Sequence, residues 1–171
     1  MMIRPAVPAD LPALEALFAQ ARAFMAAHGN PTQWAGGYPS ADILTADIRA
    51  GHSFVCTDET GALLASFCFA AAPDPAYEAE PAVWRSAAPY GVIHRIAVSA
   101  HGRGVASFCV DWCKARCGHL RADTHADNTV MQRFLAKQGF VRCGMIHPDY
   151  GERVAYEWPP KERLPGTNRP D

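Results

Sequence analysis

The sequence predicts an α/β fold, a mixed sheet with helices on its faces. Short apolar runs of strand length alternate with segments whose apolar residues recur at helical spacing, in the order β-α-α-β-β-β-α-β-α-β-β. The 171 residues can bury a full core, and no linker or internal repeat divides them. We therefore expect a single domain over residues 1–158. The polar, proline-rich residues 159–171 are expected to be a poorly ordered tail.

The first half of the chain predicts a strand, two helices and a hairpin. Residues 3–6 form a short strand, and Asp10 caps a helix with leucines and Phe at helical spacing. After a polar loop, Ser40 caps a second helix. HSFVCTD and ALLASFCFAA then flank the turn ETG, which indicates a β-hairpin. Residues 71–89 contain four prolines and are expected to be a loop.

The second half alternates strands with helices and ends in a hairpin. The predicted strands are YGVIHRIAV, HLRADTH, FVRCGMIH and RVAYEW, and the last two pair around the turn PDYGE. One helix follows the first strand, with apolar residues from Val105 to Cys113 on its face, and NTVMQRFLAKQGF is the other.

Charge and composition exclude some classes of partner. Lys and Arg total 16 against 17 for Asp and Glu, a formal net charge of −1, so the chain as a whole lacks the basic excess of nucleic-acid or anionic-membrane binding. The N-terminal stretch lacks the apolar core of a signal peptide, and no apolar run is long enough to span a bilayer. We expect a soluble, cytoplasmic protein with neither nucleic acid nor membrane as a partner.

The six cysteines are expected to be core thiols. Cys109, Cys113 and Cys117 recur every four residues, which places them near one another on a helix. They lack the Cys-x-x-Cys pairs of a metal site, so no metal is expected. A nucleophilic cysteine would need a positioned base, which the sequence does not indicate.

A glycine loop lies between a predicted strand and a predicted helix, in AHGRGVASF at residues 100–108. The first N–H groups of a helix have no backbone partner and attract anions, and glycines let a pyrophosphate approach closely. His101 and Arg103 can add side-chain donors. Alone, the pattern fits a plain turn or a phosphate site equally well. The Walker and dinucleotide-binding patterns are both absent.

A second motif resolves this choice through a resemblance. The chain has His101-Gly102-Arg103-Gly104-Val105-Ala106 and, later, the helix from Asn128 to Gly139-Phe140. Together these resemble the GCN5-related N-acetyltransferases (GNAT), whose acetyl-CoA loop reads Arg/Gln-x-x-Gly-x-Gly/Ala and whose later helix reads Asn-x-x-Ala-x-x-Leu-Tyr-x-x-x-Gly-Phe. The resemblance implies a GNAT-type mixed, mostly antiparallel central sheet with helices on both faces.

The resemblance also implies an acetyl-CoA site. Backbone groups of Ile96, Ala97 and Val98 would pair with the pantetheine arm, and Asn128 would contact the pantetheine or the reacting end while also capping its helix. The residues implied at the pyrophosphate are His101, Gly102, Arg103, Gly104, Val105, Ala106 and Ser107. Two positions depart from the family pattern. His101 stands where the family has Arg or Gln, and Leu135 stands where many members have a tyrosine acid.

The proton-transfer groups have two histidine candidates. His94 lies on the strand that would hold the cofactor, and imidazole titrates nearest neutral pH; it could equally be a core histidine. His125 is the second candidate, at the sheet end where ligands bind, and could equally be a loop residue. Asp123 and Asp127 could hold a substrate cation. Tyr150, in a hairpin turn, is a poor acid candidate on sequence grounds.

For the acceptor pocket, the sequence offers Trp34, Tyr38, Glu78 and Glu80 as wall residues. The aromatic pair could instead anchor a loop, and the acidic pair could be solvated. The reaction expected from the resemblance is direct attack of an amine, on a small molecule or a peptide, at the acetyl group of acetyl-CoA. The alternative is a non-catalytic acyl-CoA-binding or regulatory domain. A phosphate-binding protein unrelated to CoA is a third class, which the Asn128 helix argues against. Many relatives pair through sheet edges, which leaves a homodimer as an option.

Overall fold

A computed structural model describes residues 1–158 of the protein, and the predicted tail lies outside them. Its strands and helices are β1 Met2–Pro5, α1 Leu11–Ala27, α2 Ala41–Arg49, β2 Ser53–Thr57, β3 Leu63–Ala70, α3 Pro75–Glu78, β4 Gly91–Val98, α4 Val105–Lys114, β5 Leu120–Thr124, α5 Thr129–Lys137, β6 Val141–Ile146 and β7 Arg153–Trp158. Every strand and long helix expected from the sequence is present, in the predicted order.

The seven strands form one open sheet in the order β1-β2-β3-β4-β5-β7-β6. All neighbouring strands are antiparallel except β4 and β5, which are parallel. The predicted fold class, a mixed and mostly antiparallel sheet with helices, is therefore confirmed. None of the helices in residues 1–158 has the length and apolar character needed to cross a membrane.

Two of the three cores among the described residues hold the longer helices against the sheet. The larger includes Val105 and Cys109 of α4 and Leu135 of α5, together with strand residues such as Phe67. The second packs Leu14, Leu17, Phe18 and Leu44 of α1 and α2 against Val55 and Ala97. Since Val55 lies in one core and its strand neighbour Cys56 in the other, the alternation of side chains along β2 separates the two helix layers.

The region between β3 and β4 is more ordered than the sequence predicts. It contains α3, capped by the Asp74 carboxylate, which accepts a hydrogen bond from the Ala76 amide at 2.8 Å. Tyr77 of this helix and Trp84 after it are both buried, and their rings lie 4.7 Å apart. A single helical turn is too short to produce an apolar period, so the prolines dominated the prediction.

All six cysteines, each within the described range, are free, and Cys56, Cys68, Cys109 and Cys113 are buried. Burial raises the pKa of the Cys113 thiol to about 12 and that of Cys68 to about 11. Both thiols are therefore protonated at neutral pH, in keeping with packing rather than nucleophilic chemistry.

Candidate active site

The parallel strands β4 and β5 diverge soon after they meet. They pair only at Gly91 with Leu120 and at Val92 with Arg121. From Ile93 onward the β5 side of β4 has no strand partner within residues 1–158. A cavity of about 1020 Å³ lies here, lined by both strands and by the first turns of α4 and α5. Ile96, Ala97 and Val98 line it, so the edge of β4 is open to a ligand at the predicted positions.

The glycine loop forms one end of the cavity. Gly102 and Gly104 have φ angles of 77° and 75°, a left-handed conformation that favours glycine. Gly104 precedes α4, and no side chain of the described chain caps this helix. The opening amides of Val105, Ala106 and Ser107 therefore lie at the cavity with the positive end of the helix dipole. By contrast, the side chains of Ser40 and Asn128 cap α2 and α5.

Basic residues accompany this loop. Arg103 lines the cavity, and so does Lys137 in the last turn of α5, which sequence reasoning missed because it falls at an unspecified position of the second motif. His101 stacks on Phe24 with ring centroids 3.6 Å apart, and Phe24 stacks on His28 at 3.9 Å. Burial, together with the nearby His28, lowers the pKa of His101, so its ring serves as an aromatic contact at neutral pH.

Asn128 caps α5 as expected and also lies on the cavity. Its Oδ1 accepts the Met131 amide at 3.0 Å, which caps α5, and its side chain lines the cavity. Its Nδ2 donates to Gln33 Oε1 at 2.9 Å, and Asn30 Nδ2 donates to the same oxygen at 2.8 Å. Gln33 thereby ties the loop after α1 to the start of α5 across the cavity.

A β-bulge distorts β4 beside the cavity. Cys68 faces His94 and Ser66 faces Ala97, so β4 carries one residue more than β3 over this stretch. Arg95 sits in the bulge with a φ of 52°, rare for a residue with a side chain. Its guanidinium holds this conformation through both oxygens of Asp47, each at 2.8 Å, and through the hydroxyl of Tyr38 at 3.0 Å.

His94 lies between two carboxylates on the cavity wall. Its Nε2 is 2.8 Å from Asp74 Oδ2, and its Nδ1 is 3.8 Å from Asp123 Oδ2. Asp123 Oδ2 also accepts the Tyr77 hydroxyl at 2.7 Å, and Asp123 Oδ1 lies 3.6 Å from Arg153 Nε. The hydrogen bond from His94 holds the pKa of Asp74 below its usual range, so Asp74 is ionised at neutral pH. Sequence reasoning missed Asp74 because it is distant in the chain, in a loop with no motif.

Two further positions concern a proton donor. Leu135 lines the cavity but is 4 % exposed and packs in the main core, so this position offers no donor. Tyr150, set aside on sequence grounds, lines the cavity from the turn between β6 and β7. Partial burial of its hydroxyl and the nearby Asp123 and Asp74 raise the pKa of Tyr150 well above its usual range. It therefore presents a protonated hydroxyl.

The remaining predicted residues divide between the cavity and other places. Trp34 and Tyr38 line the cavity. Glu78 and Glu80 are absent from its described lining: Glu78 accepts the Tyr90 hydroxyl at 2.7 Å, and Glu80 accepts the His147 amide. These partners turn both glutamates away from the other candidates. His125 is also outside the lining, and its Nδ1 lies 3.3 Å from the amide of Asp127.

Comparisons with known proteins identify the family and the fold. The model of the acetyltransferase (GNAT) family matches residues 17–140. A GNAT acetyltransferase from Streptococcus agalactiae is similar at 30% identity and a TM-score of 0.80, over 91% of this chain and 93% of that one. An N-acetyltransferase from Staphylococcus aureus has 26% identity and a TM-score of 0.59, over 91% and 96% of the two chains. A phosphinothricin acetyltransferase from Sinorhizobium meliloti, solved with AcCoA, shares the fold at 17% identity and a TM-score of 0.62, over 91% of this chain and 86% of that one. Among curated protein sequences, no match was found.

The chain belongs to the acetyltransferase (GNAT) family. It is accordingly an enzyme of the N-acetyltransferase type, in a family that uses acetyl-CoA as the acetyl donor.

Proposed function

We propose that this protein transfers the acetyl group of acetyl-CoA to a primary amine of a small molecule or peptide by direct attack, with His94 as the base. The observation that carries the proposal is the position of His94. Its imidazole lies on the wall of the same cavity that begins at the uncapped α4 helix, and Asp74 holds it there.

The residues present fit acetyl-CoA. Open amides at the start of α4 suit a pyrophosphate, and Arg103 and Lys137 add positive charge. The unpartnered edge of β4 offers strand-like hydrogen bonds to the amide groups of a pantetheine arm. When bound there, acetyl-CoA supplies a thioester carbonyl that a neutral amine attacks, with release of a thiol.

His94 prepares the amine. Because ionised Asp74 only accepts hydrogen bonds, Nε2 carries the proton and Nδ1 of a neutral ring is free to accept one. A substrate ammonium has three N–H protons, and the amide product keeps one. His94 Nδ1 takes one proton and passes it to solvent, and the released sulfur receives the other. Tyr150, protonated and on the cavity wall, is a donor for that sulfur.

The bulge in β4 is positioned to stabilise the thioester carbonyl oxygen during the attack. A bulge leaves backbone groups without ladder partners, and here it adjoins His94. Amides of β4 near Arg95 and Ile96 can donate to the negative charge that develops on that oxygen. Arg95, tied to Asp47, keeps the bulge rigid so that these donors are in place before the reaction.

Two measurements test the function. Calorimetric titration should show that acetyl-CoA binds, and a thiol-release assay should detect turnover with primary amines. Binding of acetyl-CoA without turnover across amines, polyamines and peptides would favour the non-catalytic acyl-CoA-binding alternative. Absence of binding at millimolar acetyl-CoA would contradict the proposal entirely.

The two histidine candidates are separated by the pH dependence of kcat/KM. A general base is inactive when it is protonated, which produces an acidic limb in this pH profile. The groups that face His94 are Asp74, Asp123 and Tyr77. The variant His94→Ala should lose this limb and about 10²- to 10⁴-fold in kcat. The matched variant His125→Ala should keep both. If the limb disappears in His125→Ala and survives in His94→Ala, the assignment of the base is wrong.

A further inference from the structure

The contacts around His94 bear on the chemical class of the acceptor, an inference that rests on the proposed function. Asp74 Oδ2 lies 2.8 Å from Nε2 of His94, and Nδ1 of the same ring lies 3.8 Å from Asp123 Oδ2. When Nε2 carries the only ring proton, Nδ1 and Asp123 Oδ2 are two hydrogen-bond acceptors that face one another on the cavity wall. Both side chains are largely withdrawn from water, with 24% of His94 and 7% of Asp123 exposed.

A primary ammonium fits this gap. A nitrogen that lies about 2.9 Å from each acceptor can donate one N–H to each, since a 3.8 Å separation permits both contacts at once. The charge also matches, because Asp123 and Asp74 are carboxylates. Of the two remaining positions on the nitrogen, one holds the third N–H and the other holds the carbon that carries the body of the substrate away from the pair. Asp123 serves as the anchor, and His94 receives the proton.

A carboxylate next to that ammonium is disfavoured. It would lie near Asp74 and Asp123, and the neighbouring cations are already engaged. Arg153 donates to the carbonyl oxygens of Glu152 and Tyr150 at 2.8 and 2.9 Å and lies 3.6 Å from Asp123. A substrate carboxylate beside the ammonium would therefore be repelled by the carboxylates of Asp74 and Asp123, and this repulsion is strong in a partly desolvated site.

The second cation on this wall is neutralised as well. Arg95 forms a bidentate pair with Asp47 and donates to Tyr38. The chain neighbours of Asp74 that also line the cavity, Ala72, Pro73 and Pro75, are small or apolar.

We propose that the acceptor is a primary amine without an adjoining carboxylate, carried on a largely apolar body, and that its ammonium binds between His94 Nδ1 and Asp123 Oδ2. An α-amino acid, which places a carboxylate on the carbon beside the amine, is a poor substrate.

Three matched ligands test this class. Tyramine, tyrosinamide and tyrosine share one side chain and differ beside the amine by a hydrogen, a neutral amide and a carboxylate. Calorimetric titration into the full chain, with and without CoA, should give a Kd at least tenfold weaker for tyrosine than for tyramine and tyrosinamide. The thiol-release assay should rank the three in the same way. Equal or tighter binding of tyrosine overturns the inference, and this comparison needs no variant.

The variant Asp123→Asn tests the anchor. It should weaken tyramine binding at least tenfold and narrow the tyramine-to-tyrosine ratio to under threefold. The same change at the exposed Asp111 of α4 is the control and should leave both ligands unaffected. The melting curve and the acetyl-CoA affinity show whether the Asp123→Asn variant is folded. If it is folded and its tyramine-to-tyrosine affinity ratio is unchanged, Asp123 is not the anchor of the ammonium. Failure of the proposed function gives a different result from failure of this inference. In that case tyramine binds, and no thiol is released.

Discussion

Gly104 offers the sharpest test of the pyrophosphate loop. Its φ of 75° lies in the left-handed region, where an L-residue costs about 1–2 kcal/mol. No described atom lies within 4 Å of a Cβ built at this position, so Gly104→Ala meets backbone strain rather than a steric clash. Since Gly104 lines the cavity, the added methyl group and any relaxation of the backbone disturb the surface that anions approach.

The expected loss follows from the hydrogen bonds at stake. A hydrogen bond from an amide to a charged group contributes about 1.5–3 kcal/mol, so misplacing one amide weakens acetyl-CoA binding about 10- to 150-fold. The strain itself should lower Tm by about 2–8 °C in a chain of this length.

Gly61→Ala is the matched control. Gly61 has a φ of 85°, also with no described atom within 4 Å of its Cβ, and lies in the turn between β2 and β3, outside the cavity lining. Both variants should therefore lose similar stability, as measured by calorimetric melting, and only Gly104→Ala should lose acetyl-CoA affinity in a titration. A folded Gly104→Ala that binds acetyl-CoA as tightly as wild type would refute the loop assignment.

Three further predictions concern stability. Glu157 is fully buried against His119 and Arg121, so Glu157→Ala should cost about 3–5 kcal/mol in urea unfolding, whereas the exposed Glu152→Ala should stay within about 0.5 kcal/mol. The hydrogen bond from Arg4 lowers the pKa of Asp10; its stabilisation is present above about pH 4 and lost as pH falls further, so Asp10→Asn should flatten this acid limb of Tm against pH. Asn128→Ala should cost at least about 1 kcal/mol, because it loses the cap and the hydrogen bond to Gln33 Oε1, whereas Asn128→Ser keeps a cap oxygen without placing a carboxylate against Gln33 Oε1 and should restore part of that stability. Equal losses for these last two variants would contradict the capping role.

The glycine loop before α4 was accessible to sequence reasoning because it is local. Its two glycines adjoin the start of α4 in the chain, and the Asn128 motif is likewise one continuous segment, so backbone preferences and capping act directly within each. Element order was predictable for the same reason, since a period of 2 or 3.6 residues needs only a short window. The exception was α3, whose four residues complete only one turn, so no apolar repeat can be seen in them.

The proton-handling cluster was only partly accessible. His94 stood out by its residue type and its strand, but Asp74 is 20 positions away and Asp123 29 positions away. Their meeting depends on the packing of α3 beside β4 and β5. Tyr150 reaches the cavity because the β6–β7 turn lies at the same end of the sheet as the opening between β4 and β5. Conversely, charge alone suggested that Glu78 and Glu80 line the acceptor pocket. In the structure their carboxylates instead accept hydrogen bonds from the Tyr90 hydroxyl and the His147 amide.

By itself, the sequence determined the family, the order of the elements and the position of the glycine loop before α4. It could do so because each depends on contacts between residues close in the chain. Only the tertiary structure decided which charged groups face one another at the acceptor end. A carboxylate's effect on a histidine depends on separations of a few ångströms, and the folding of distant segments sets those separations.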